Sequence, residues 1–105
     1  MEQPNINYID QLSGDNTEFK AKMIGILKRE LPEEIAIYHN QIFNNELPEA
    51  AQCVHKLKHK ISILGLEKSY YIAEQFEEQL KNKETALKDD FETILEVMND
   101  FVQNL

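Results

Sequence analysis

Glycine and proline are scarce in this chain, three of each in 105 residues. So few turn-formers cannot supply the many tight connections of a β-sandwich or barrel, which leaves few, long elements and favours helices. Cysteine is scarcer still: the single Cys53 excludes an internal disulfide and suits a reducing cytoplasm. No uninterrupted apolar run approaches the roughly 20 residues that span a bilayer. The opening Met1-Glu2-Gln3-Pro4-Asn5 carries neither the basic nor the apolar region of a secretory signal. Cations are the minority charge, 11 Lys+Arg against 19 Asp+Glu, for a formal net charge of −8. Nucleic acid and anionic membrane surfaces are therefore not expected partners.

What is present is helical periodicity. A hydrophobic content of 42% with 29% charged residues fits a soluble globular protein, and the length suits one domain over residues 1–105 with a single modest core. Phe19, Met23, Leu27, Leu31, Ile35, Tyr38 and Ile42 recur every three or four positions, the stripe of one long helix. Asp15 and Glu18 resemble a capping box at its start. Pro32 removes a backbone donor inside it and predicts a kink over 28–32, although the stripe keeps its phase. Asn44-Asn45-Glu46 form a polar break, and Pro48 suits the first turn of a second helix with Ala50, Val54, Leu57, Ile61 and Leu64 inward. Gly65 would end that helix. Leu66, Ala73, Phe76 and Leu80 mark a third, Lys81 to Glu84 a polar connection, and Leu87, Phe91, Ile94, Met98, Phe101 and Leu105 a fourth. Ile6 to Leu12, closed by Ser13-Gly14, would add a short N-terminal helix. The expected fold is all-α, an antiparallel up-and-down four-helix bundle with this short helix in front.

Against the acidic background, residues 54–65 stand out. They hold His55 and His59 and three lysines, Lys56, Lys58 and Lys60, with no acid, so the rest of the chain carries −11. Solvated helix faces usually mix both signs. At 100° per residue His55 lies off the apolar stripe, with Ala51, Lys58 and Ser62 on its side and His59 one turn on. An accessible imidazole is largely neutral and nucleophilic at cellular pH, and Lys58 could offset the charge of an arriving phosphoryl group. The short connection at Gly65 makes the flanking helices antiparallel. Reflection of His55 through Leu66 then falls on Glu77, whose carboxylate could fix the imidazole tautomer. A plain surface carboxylate is the competing reading.

Val54-His55-Lys56-Leu57-Lys58, with Gly65 downstream, resembles the signature of histidine-containing phosphotransfer (HPt) domains: a His, then a Leu, a Lys, usually a Gly, and later another Gly. The resemblance implies a phosphorelay intermediate rather than an autonomous enzyme. His55 would be the phosphoacceptor, Lys58 the phosphate-side cation and Glu77 the imidazole-orienting group. The implied partners are receiver domains of response regulators or a hybrid sensor histidine kinase. The receiver would supply the divalent cation, so no cofactor is expected of this chain. His59 departs from the pattern, because the family usually has glycine there. It could narrow the approach to His55, donate to the phosphate or compete as an acceptor. Two other readings remain open, a receiver-binding bundle that accepts no phosphate and a structural or regulatory helical module.

Other signals are weak. His55 and His59 at i, i+4 have the spacing of half a zinc site, but Glu is missing from the helical motif and the flanking lysines repel a dication. Lys56 and Lys60 read as solubilising, His39 as exposed or at a boundary, and Cys53 as a small core filler. Tyr8, Tyr70, Tyr71 and Phe76 read as packing residues, and Ile63 as part of a docking face. No Gly-rich phosphate loop, nucleophile elbow or ATP site is apparent. A cytoplasmic monomer is the simplest reading.

Overall fold

Proline inside a helix leaves the carbonyl four residues earlier without its usual donor, and the second helix shows how this chain answers that. A computed structural model describes residues 2–105. α1 (Asn7–Ser13) is short, and α2 (Thr17–Phe43) then runs unbroken through Pro32. The carbonyl of Lys28, freed by Pro32, accepts instead from the side-chain amide of Gln103 at 3.1 Å. α3 (Leu47–Ile63), α4 (Glu67–Lys81) and α5 (Lys88–Gln103) complete the chain. The described residues form five helices and no strand. α3 packs on α2 and α4, and α5 closes the ring against α2 and α4. The molecule is elongated, 45 × 23 × 18 Å, its long axis matching the roughly 40 Å of a 27-residue helix.

The ends of α2, α3 and α4 share one device. Each is followed by a residue in the left-handed region, Asn45 (φ 57°), Gly65 (φ 75°) and Lys83 (φ 61°). In each, that residue's amide and the next one turn back onto the last carbonyls of the helix. At Gly65 these bonds are Gly65 N–H to Ser62 at 3.0 Å and Leu66 N–H to Ile61 at 3.2 Å. This is the Schellman arrangement, which satisfies carbonyls that a helix end leaves open. The N-terminal segment packs over the α3–α4 turn. Asn5 N–H donates to the Leu64 carbonyl at 2.9 Å, and Glu2 accepts from the Ser69 amide in the first turn of α4 at 2.6 Å.

One core joins the helices. Leu27, Leu31 and Tyr38 enter from α2, Ala50, Val54, Leu57 and Ile61 from α3, Ala73, Phe76 and Leu80 from α4, and Phe91, Ile94, Leu95, Met98 and Val102 from α5. Tyr38 is fully buried, stacks edge-on against Phe76 and Phe91, and donates its hydroxyl to Glu92 at 3.1 Å. Burial above all, then the Glu92 charge and hydrogen bond, pushes its phenol far above the ordinary value of 10.0.

Several expectations need correction. The cap of α2 is Asn16, whose side chain accepts from Phe19 N–H at 2.9 Å, and not Asp15. Phe19 itself is exposed, although it continues the stripe and the next residue, Lys20, pairs with Asp10 of α1 at 2.7 Å. At the far end of α5, Val102 is buried while Phe101 is half-buried and Leu105 exposed. Tyr8 and Tyr71 are exposed rather than packed. Lys60 does more than solvate α3, since its ammonium pairs with Glu34 at 2.6 Å and Glu30 at 3.2 Å on α2.

Candidate functional site

The α3–α4 hairpin fixes the site. Its apolar stripes bury Val54, Leu57 and Ile61 against Ala73, Phe76 and Leu80, which leaves the adjacent positions along the seam to face each other. His55 stands there with its side chain 57% exposed, and its Nδ1 lies 3.3 Å from each of the two Glu77 carboxylate oxygens. Glu77 is buried, with 9% of its side chain exposed. A buried carboxylate needs partners, and Glu77 has two lysines besides the imidazole. Lys58 Nζ lies 2.9 Å from Oε1 and Lys81 Nζ 3.3 Å from Oε2.

Burial by itself would raise the Glu77 pKa. Hydrogen bonds from Lys58 and Lys81, the Lys58 charge and the contact with His55 outweigh that and hold the carboxyl below its ordinary value of 4.5. It is therefore ionised at neutral pH. An ionised carboxylate at Nδ1 favours the tautomer that carries its proton there, so Nε2 keeps its lone pair and faces outward. Nδ1–H then donates to Glu77. The carboxylate in turn pushes the Lys81 ammonium above its usual value, chiefly through their hydrogen bond.

Lys58 does not sit as the helical wheel suggests. Its side chain is only 10% exposed, with the ammonium paired to Glu77 and lying 5.5 Å over the Tyr70 ring. His59 is exposed, its ring 5.5 Å from that of His55 and nearly edge-on at 68°. The two imidazoles nevertheless line different pockets. His55 borders an open pocket of about 500 Å³ with Pro48, Ala51, Gln52, Lys56 and Lys81. His59 borders one of about 490 Å³ nearer the turn, with Ser62, Gly65, Tyr70 and Tyr71. Lys81, expected to open a polar connection but found as the last residue of α4, and Tyr70, read only as packing, are the residues whose place at the site sequence reasoning did not find. Lys81 was legible as the i+4 partner of Glu77 on one helix, whereas nothing along α3 signals that Lys58 would fold over a ring of α4.

Among the described residues no cluster of three or more His, Cys, Asp or Glu could hold a metal ion, and no helix is long and apolar enough to cross a membrane. A family model described as the Hpt domain matches residues 22–105. No curated protein and no solved structure matches the chain.

Proposed function

The chain belongs to the Hpt domain family, and from that premise we propose that it carries a phosphoryl group on His55 between aspartates of receiver domains. Members of the family are phosphocarrier modules rather than classical enzymes, and the observation that carries the assignment to His55 is its pairing with Glu77. An exposed imidazole whose Nδ1 faces a buried, ionised carboxylate at 3.3 Å is oriented and tautomer-fixed for attack through Nε2. In the step, the Nε2 lone pair forms a bond to phosphorus as the acyl-phosphate O–P bond of the receiver breaks. The receiver's carboxylate leaves with the bonding pair. No proton has to depart, because Nδ1–H stays on the ring and Glu77 balances the imidazolium that forms. The reverse transfer passes the group to a second receiver.

Glu77 orients, and Lys58 holds Glu77 ionised and in place. The divalent cation and most of the transition-state charge stabilisation come from the receiver. The protein works in the cytoplasm as a monomer. His59 modulates access from the neighbouring pocket.

The test is to mix the protein with a receiver bearing labelled aspartyl phosphate. Acid-labile, alkali-stable label is expected on wild type and absent from His55→Gln. Label that persists in His55→Gln would defeat the assignment, and its presence on His59 would make the two imidazoles competitors. A receiver that binds without transferring label would support a binding-only bundle, the reading that the imidazole at the glycine position favours. Absence of binding would support a structural module.

A further inference from the structure

We propose, building on the phosphotransfer reading, that Lys81 is the cation that meets the transferred phosphoryl group, and that it does so by letting go of Glu77. The sequence signature directs attention to Lys58. That ammonium is committed, at 2.9 Å from Glu77 Oε1 and 5.5 Å over the Tyr70 ring, with its side chain 10% exposed. To reach a group on the outer nitrogen of His55 it would have to leave a buried carboxylate and an aromatic face together.

Lys81 is differently placed. Its side chain is 53% exposed and its contacts are long, 3.3 Å to Glu77 and 3.4 Å to Glu78. The Lys81 end of the pair lies in water, and Lys58 stays on the other oxygen of the buried Glu77 carboxylate, so Lys81 can leave without stranding it. It lines the same pocket as His55, which Lys58 does not. The shared Glu77 carboxylate also holds it within one group of the imidazole. Lys56 edges that pocket too, but no carboxylate tethers it to His55, which makes it the natural control.

The charges exchange without a deficit. Before transfer Glu77 faces two ammonium groups and a neutral imidazole. As the Nε2–P bond forms and the receiver's O–P bond breaks, the imidazole becomes cationic at its Nδ1–H side. Glu77 can then release Lys81 and keep two cationic partners, Lys58 and the imidazolium. The freed ammonium turns to the phosphoryl oxygens, whose dianionic charge it offsets. In the reverse transfer Lys81 returns to Glu77 as the imidazole becomes neutral again.

The test measures transfer from a phosphorylated receiver to wild type, Lys81→Gln, Lys81→Arg and Lys56→Gln, with the ³¹P signal of the phosphohistidine. Lys81→Gln is expected to lower the maximal rate at saturating receiver about tenfold and to shift the ³¹P signal. Lys81→Arg should recover most of the rate, and Lys56→Gln, which leaves the Glu77 contacts intact, should lose much less rate than Lys81→Gln. Lys81 is half-exposed on its helix, so these variants should fold. A Lys81→Gln protein with wild-type rate and an unmoved ³¹P signal would overturn the proposal, as would a loss confined to the receiver concentration required, which marks docking. Equal loss in Lys81→Arg and Lys81→Gln would also overturn it, because charge would then not be what acts. Failure of wild type to accept label defeats the phosphotransfer reading itself, and is separately visible.

Discussion

At the scale of single residues, Glu77 is the pivot, because one carboxylate serves an imidazole and two lysines. Its replacements should separate geometry from charge. In Glu77→Gln the amide carbonyl can still accept from Nδ1–H, so the tautomer survives while the charge is lost. In Glu77→Ala nothing holds the ring, and Lys58 is left buried without its carboxylate. Glu77→Ala is expected to lose about 2 kcal/mol of stability and to transfer phosphoryl at least tenfold more slowly. Glu77→Gln should keep more of the transfer rate. Thermal melts and ¹⁵N shifts of the His55 ring check the two halves. The site's partial legibility belongs to this scale as well. Reflection through the turn found Glu77 because an antiparallel hairpin maps one helix onto the other by position alone. The helical wheel missed the burial of Lys58 because a wheel gives the azimuth of a Cα–Cβ bond. Where a long flexible stem finally lies depends on Glu77 and Tyr70 of the next helix.

At the scale of elements, three helix ends use the same left-handed stop with three different residues, Asn45, Gly65 and Lys83. Only the glycine adopts that conformation without steric cost. Substitutions at Gly65 and at Lys83 should therefore act in opposite directions. Gly65→Ala is expected to cost about 1–2 kcal/mol. It strains the backbone, and its Cβ would lie 2.5 Å from Asn5 Nδ2, a side chain whose Oδ1 is held by Asn7 N–H at 3.0 Å. Lys83→Gly, on an exposed connection, is expected to add about 0.5–1 kcal/mol. Urea midpoints measure both. The periodicity of α3 and α4 was fully legible, since every residue of their stripes is buried as expected. Less was legible at the helix ends. Asp15 and Asn16 are both capping types, so composition could not choose between neighbours. Phe19 and Leu105 keep the spacing of their stripes yet are exposed, because periodicity along one helix does not say what covers its ends.

At the scale of the whole molecule, stability should depend on pH through groups on opposite sides of neutrality. The Glu77 and Glu2 carboxyls are held below 4.5, Glu77 by its lysines against the effect of burial and Glu2, likewise against burial, by the amides of Ser69 and Lys68. A depressed pKa gives stability that is full above 4.5 and is lost as pH falls through the folded value. The Tyr38 phenol is pushed up, so its contribution is full below 10.0 and declines as pH rises beyond it. Chemical denaturation followed across pH should show a plateau between these limbs. Glu77→Gln is expected to flatten the acid limb, and Tyr38→Phe the alkaline one, at a cost of about 1 kcal/mol at neutral pH for the lost hydrogen bond to Glu92.

The fastening of Glu2 and Asn5 onto the α3–α4 turn has a consequence for where the protein can be cut. The stretch that carries the family pattern begins at Lys22, but the first amides of α4 and the carbonyl that ends α3 find partners ahead of it. A fragment trimmed to the family boundary would uncap one arm of the hairpin and leave the other arm's last carbonyl to solvent. The two arms are what bring His55 and Glu77 together. A fragment meant to keep that hairpin fastened should therefore start some twenty residues before the matched stretch does.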